Sequence, residues 1–120
     1  MIRILYKKIK VASEIGVTLY MIGGKYKPLI LNYLIENKTK RFNEMLRYMK
    51  PISQRTLTNQ LRELELDVLI NRKVYAEVPP RVEYSITKKG KSLSKILEAM
   101  CEWGEKNIDE RFEITNPQCL

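Results

Sequence analysis

Apolar residues recur at helical spacing in several runs of this chain, most clearly over residues 51–67, PISQRTLTNQLRELELD. Leu57, Leu61 and Leu64 follow the i, i+4, i+7 spacing that a 3.6-residue period gathers on one side of a helix, the side that buries against a core. Gln54, Arg55, Thr58, Asn59 and Arg62 fall on the opposite side, and Glu63, Glu65 and Asp67 are held back to the last turns. Pro51 cannot continue a preceding helix, and the Ser53 hydroxyl is suited to accept from the backbone N–H groups of a first turn. The pattern therefore predicts a two-faced helix over about 53–66, entered at Gln54.

The flanking runs supply its surroundings. Residues 42–49 repeat the helical pattern with Phe42, Met45, Leu46 and Met49 as the buried set, and residues 50–53 make a tight turn. Residues 25–37 carry Pro28 in a first turn, where its missing N–H is harmless, then Leu29, Ile30, Tyr33 and Leu34 at helical spacing up to Asn37. The basic connector 38–41 has room for a very short strand. Residues 17–22, VTLYMI, form a short apolar helix stopped by Gly23 and Gly24. Too apolar for exposure, it is expected to pack on the next helix or on a second subunit. Residues 1–11 mix apolar and basic side chains without a start signal; an arm that touches phosphates and a mobile or partner-packed terminus are both compatible with them.

Beyond residue 67 the period changes. Runs 68–75 and 81–87 are strand-like, the second alternating Val82, Tyr84 and Ile86 with Glu83 and Ser85, and the prolines of the joining AEVPP segment exclude a two-residue hairpin turn. Residues 87–107 then predict one long helix with Thr87 as its cap and Leu93, Ile96, Leu97, Met100 and Trp103 in a stripe close to a heptad seam. The expected fold is mainly α with a small β-hairpin wing, a winged helix-turn-helix. It forms a single domain over residues 1–120 with its core at about 13–107.

Charge sharpens this picture. The net charge of +8 is lopsided: residues 1–60 hold 12 Lys or Arg against 3 Asp or Glu, and residues 61–120 hold 10 against 11. Such an excess attracts polyanions, nucleic acid first and an anionic membrane second. Amide, guanidinium and hydroxyl groups on an exposed helix are those that pair with base edges and phosphates, although a solvated surface helix has the same polarity. Double-stranded DNA is therefore the expected partner, with Gln54, Arg55, Thr58 and Asn59 reading bases and Lys40, Arg41, Lys73 and Arg81 holding phosphates. Ser53 stands at the start of the same surface and Arg62 suits either role. The wing, about 72–84, would lie near the minor groove.

An apolar stripe on the last helix has no partner within so small a chain, which points to a homodimer. Its expected interface is Val17, Tyr20 and Met21 with Leu93, Ile96, Leu97, Met100 and Trp103. Residues 98–120 carry 6 acids against 2 bases, so that end should face away from DNA. Tyr6, Tyr20, Tyr26 and Met21 near this interface are where a pocket for a small-molecule effector could form, although core packing is their more ordinary role. Neither a metal site nor a cofactor is expected. His is absent, and Cys101 and Cys119 alone offer too few ligands for zinc. No nucleophile, base and oxyanion arrangement can be named, so no enzyme is expected. No run is apolar enough to span a bilayer and no signal peptide opens the chain, which implies the cytoplasm, where both thiols would stay reduced and a disulfide would be out of place.

In their order and spacing, Ile22-Gly23-Gly24-Lys25-Tyr26-Lys27, Arg41 to Met45, Ile52 to Leu64, Val78 to Thr87, Lys89-Gly90 and Trp103-Gly104 closely resemble the HxlR family, a MarR-like branch of transcriptional regulators. The resemblance implies a homodimer on operator DNA, joined through first and last helices and acting as repressor or activator. Some members of that family sense oxidants through a cysteine at the place that Ser13 holds here, ahead of Glu14-Ile15, and a hydroxyl has no comparable chemistry. The thiol switch is not carried over, and Cys101 is expected to behave as a small hydrophobe. Two other readings are a coat that binds DNA without sequence choice and a winged helix used for protein interaction. The density of polar hydrogen-bonding groups on one helix speaks against the latter.

Overall fold

The computed structural model describes residues 8–119 of the chain. Elements follow in the order α1 (Glu14–Ile22), α2 (Lys27–Asn37), β1 (Thr39–Arg41), α3 (Phe42–Tyr48), α4 (Gln54–Leu66), β2 (Ile70–Tyr75), β3 (Arg81–Ile86), α5 (Lys88–Lys91) and α6 (Ser94–Asn107). The strands make one antiparallel sheet in the order β1-β3-β2. Ile70 pairs with Ile86 at one end of the hairpin and Tyr75 with Arg81 at the other, while Thr39 of β1 pairs with Ser85. This is the winged helix-turn-helix that the periodicities predicted. No helix among the described residues is long and apolar enough to cross a membrane.

The core lies between the helices and the inner face of the sheet. Ile30, Leu31 and Leu34 of α2, Met45 of α3, Leu57, Leu61 and Leu64 of α4, and Leu69 and Ile70 are all sealed from solvent, with Tyr84 of β3 and Leu97 of α6 completing the cluster. Each side chain of that size stabilises the fold by about 1.5–3 kcal/mol through removal of apolar surface from water. The two-faced pattern of α4 is thus used as expected, and the expected set on α3 is split between buried Met45 and Met49 and half-buried Phe42 and Leu46. On α2 the Tyr33 ring stacks on Tyr48, with centroids 4.1 Å apart.

Local chemistry sets the element ends. The Ser53 hydroxyl accepts from the Thr56 N–H at 3.1 Å, so α4 begins at Gln54. Gly23 closes α1 by donating to the Leu19 carbonyl at 2.7 Å, and Gly24 turns the chain with φ +105°, a conformation open mainly to glycine. Residues 38–41 do contain the short strand, β1.

Three expectations are corrected. The helix foreseen over residues 87–107 is two helices. Thr87 does cap the first, accepting from the Gly90 N–H at 2.9 Å. Then Leu93 N–H turns back to the Gly90 carbonyl and the Ser94 hydroxyl bonds the Lys91 carbonyl at 2.7 Å, which replaces the regular ladder by a tighter turn. The first hairpin strand starts at Ile70 rather than residue 68 because Val68, at φ 60°, belongs to the turn that leaves α4. Finally, Cys101 is not an unbonded hydrophobe: it forms a disulfide with Cys119, their Cα atoms 5.7 Å apart, although the sequence made any disulfide unexpected. The spacing of two cysteines does not reveal that the chain after α6 doubles back, and the fold-back is what brings them together.

Candidate nucleic-acid interface

The helix-turn-helix consists of α3, the turn 49–53 and α4, and Leu57, Leu61 and Leu64 lock α4 to the core so that its other side faces outward. Gln54, Arg55, Asn59 and Arg62 are exposed there. Thr58 is half-buried and its hydroxyl donates to the Gln54 carbonyl at 2.8 Å, which leaves its oxygen lone pairs and its methyl group as what it can offer outward. Ser53 is exposed, but its hydroxyl is occupied, accepting from the Thr56 N–H and donating to the Thr56 hydroxyl oxygen at 2.9 Å. Its principal work is therefore the helix cap. None of the basic groups of α4 has a carboxylate partner among the salt bridges of the described residues.

The expected phosphate contacts fare unequally. Arg41 is exposed and opens α3, its backbone N–H donating to the Glu44 carboxylate at 2.8 Å. That hydrogen bond, assisted by the charges of Lys40, Arg41 and Arg47, holds the Glu44 carboxyl below its ordinary pKa. Lys40 stands 3.8 Å from Glu44 and 5.9 Å from the Tyr33 ring, so part of its charge is already answered. Lys73 is exposed on β2 with its ammonium 4.8 Å above the Tyr75 ring.

Arg81 departs most from expectation. Its guanidinium lies 3.8 Å over the Tyr75 ring, 3.1 Å from Glu77 through Nη2 and 3.6 Å from Glu83 through Nε, and that Nε is buried without a hydrogen-bond partner. It braces the loop end of the wing and has little charge left to spend on a phosphate. The strand pairing puts Lys73 opposite Glu83, which lowers the net charge of the hairpin further. Arg47 on α3 and Arg72 on β2 are also exposed basic residues, which the sequence analysis did not single out. Only charge marks them in the sequence, and charge alone does not separate them from other surface cations.

Also missed was the tie that holds α4 from behind. Lys27 at the start of α2 is 6% exposed, and its ammonium lies 2.6 Å from the Glu63 carboxylate. A lysine next to Gly24-Lys25-Tyr26 carries no sequence signal of burial; the fold covers it. A small recess of about 160 Å³ next to this pair is lined by Tyr20, Lys27, Glu63, Leu66 and Asp67.

At the two ends of the chain the expected interface residues divide. Val17 and Tyr20 of α1 and Ile96, Met100 and Trp103 of α6 are exposed, and Ile15 and Leu19 of α1 join them. Met21 and Leu93 are half-buried against the core. Leu97 is 4% exposed and belongs to the core of its own chain, which removes it from the outward stripe. The effector pocket expected around Tyr20, Tyr26 and Met21 amounts to the small recess beside Tyr20, while Tyr26 and Met21 pack on the core; Tyr6 lies outside the described residues. A far larger cleft, about 740 Å³, lies between α2, α6 and the segment after α6.

A polar-faced second helix, a tight turn before it and a hairpin after it define a winged helix-turn-helix protein. The HxlR-like helix-turn-helix family model matches residues 21–112, and the chain belongs to that family. A transcriptional regulator of the HTH type from Halalkalibacterium halodurans is 51% identical over 95 residues, 79% of this chain and 84% of its own. One from Methanothermobacter thermautotrophicus is 55% identical over 92 residues, 77% of this chain and 70% of its own. Among solved structures, the redox regulator HypR in its oxidized form has a TM-score of 0.75 at 48% identity, covering 81% of this chain and 99% of its own. These relatives are regulators rather than enzymes, and this chain is a transcriptional regulator of the HxlR type.

Proposed function

We propose that the chain is a sequence-specific DNA-binding regulator that acts in the cytoplasm as a homodimer, with α4 in the major groove and the hairpin near the adjoining minor groove. The observation that carries this reading is the outward side of α4, where Gln54, Arg55, Asn59 and Arg62 are exposed. The apolar backing of that helix fixes its orientation, as readout of base edges demands. Arg55, Gln54 and Asn59 read bases, with Thr58 contributing its methyl group and oxygen; Arg41, Lys73 and Arg62 hold phosphates, joined by Arg47 and Arg72. Lys40 and Arg81 contribute less, because carboxylates already face them. The exposed apolar residues of α1 and α6 support the dimer, since contiguous patches of this kind are uncommon on a monomer.

Arg55→Ala is expected to weaken binding to operator DNA by about 1–3 kcal/mol and to relax preference at one position. Titration on DNA from upstream of its own coding region and on random duplex, each at two salt concentrations, provides the test. An equal loss on both duplexes rejects base readout by Arg55, and equal affinity of the parent for both would favour a coat without sequence choice.

A further inference from the structure

The hairpin changes character toward its loop. Ile70 and Tyr84 on its core-facing side are buried, and strand alternation carries that side outward to the pair of Val74 and Val82, next to the loop 76–80. Val74 is 52% exposed and Val78, within the loop, is fully exposed at 101%, the most exposed large hydrophobic side chain among the described residues. Residues 74–82 hold one base and one acid, Arg81 and Glu77, and these two pair with each other at 3.1 Å. Pro79 and Pro80 have no N–H to donate and stiffen the loop, and the Glu77 N–H is spent on the Tyr75 carbonyl at 2.9 Å. The tip of the wing is therefore apolar, poor in donors and without net charge.

A tip built to hold phosphates would end in unpaired lysines or arginines. Here Arg72 and Lys73 stand lower on β2, and the Arg81 pair masks the one carboxylate that would repel a DNA backbone. What such a tip suits is the interior of the minor groove, about 6 Å wide, between its sugar walls. The floor of that groove differs between base pairs in one respect: a G·C pair adds the guanine N2 amino group, and an A·T pair presents acceptors only. A valine side chain accepts no hydrogen bond. A guanine amino group beneath it is both in the way and left unpaired, whereas adenine N3 is a ring atom and does not project.

We propose that Val78 is a specificity-determining residue: seated in the minor groove, it selects against guanine at the base pairs beneath the wing tip by excluding the N2 amino group. The inference rests on the DNA-binding reading above and adds to it a residue and a chemical basis for sequence choice in the second groove. The wing then contributes through two different chemistries, with Arg72 and Lys73 on phosphates and an apolar end on the groove floor.

The test uses DNA from upstream of the protein's own coding region, prepared once with adenine and once with diaminopurine in its place. Diaminopurine adds the amino group to the minor groove and leaves the N7 acceptor and N6 donor of the major groove as they were. The parent protein is expected to bind the diaminopurine duplex roughly tenfold more weakly. Val78→Ser should bind the unmodified duplex roughly tenfold more weakly than the parent, through loss of the apolar contact. Its melting temperature should match the parent's because the side chain is exposed, and so should its salt dependence, because no charge is removed. The variant should also lose most of the parent's discrimination against diaminopurine. Parental affinity in Val78→Ser would overturn the inference and leave the tip to a protein partner. Indifference of the parent to diaminopurine, or an equal penalty in parent and variant, would overturn it as well. A parent that binds no duplex removes the DNA-binding reading and this inference together, whereas a parent that binds the upstream duplex no better than Val78→Ser does removes this inference alone.

Discussion

Val68 shows how far a single residue can stand from what its type prefers. It is exposed, β-branched, and held at φ 60°, where the chain leaves α4 and Leu69 N–H bonds the Leu64 carbonyl at 3.0 Å. Left-handed backbone costs an L-residue about 1–2 kcal/mol, and a β-branched one is worse placed than most. Val68→Gly should therefore stabilise the protein by a net of about 0.5–1 kcal/mol after the entropy that glycine loses on folding, readable as a higher midpoint in denaturant. Ser53 is the opposite case, a residue whose cap role was legible because an oxygen at that place serves the orphan donors of the first turn whatever surrounds it. Arg81 was legible only as a charge. Its stacking on Tyr75 and its two carboxylate neighbours arise from strand pairing, which composition does not disclose.

Between elements, the Lys27 to Glu63 pair joins the start of α2 to α4. The two partners are unequally buried, with side-chain exposures of 8% and 54%. Removing the carboxylate strands a buried ammonium, whereas removing the ammonium leaves a carboxylate that water can reach. Glu63→Gln is thus expected to cost about 1–2 kcal/mol and Lys27→Met clearly less, a difference that paired denaturant melts would resolve. Glu44 joins β1 to α3 in a pH-dependent way. Its pKa is lowered in the fold, so its contribution is present above the ordinary carboxylate value and is lost as pH falls through the lowered one. Stability measured against pH should decline less steeply on the acid side in Glu44→Gln. The break between α5 and α6 belongs to this scale too. The apolar stripe begins only at Leu93, so nothing in its spacing marks the break before it, and spacing does not register that a serine hydroxyl has bonded back to a carbonyl.

In the whole molecule, α2 packs against the sheet, α5 and α6, and the exposed apolar sides of α1 and α6 stand at the two ends of the chain. The disulfide is the longest-reaching covalent constraint, closing a sequence separation of 18 residues. By the loop-entropy account a bridge of that span is worth up to about 3 kcal/mol, so Cys119→Ser should lower the melting temperature and make the C-terminal segment a preferred site of limited proteolysis. An unchanged melting temperature and protease pattern would show that the amide contacts of Asn116 to the Tyr48 carbonyl and of Gln118 to the Leu29 carbonyl hold the segment unaided. What the amino-acid order determined by itself is everything of short range: the face of each helix, the Ser53 and Thr87 caps, the alternation of β3, the lopsided charge and the polar side of α4. Periodicity and capping depend on residues a few positions apart, so they can be read without coordinates. Tertiary structure alone decided that Lys27 is buried against Glu63, that Arg81 is engaged within the wing, that Leu97 turns inward and that Cys101 meets Cys119. Each of these depends on which distant groups the folded chain brings together.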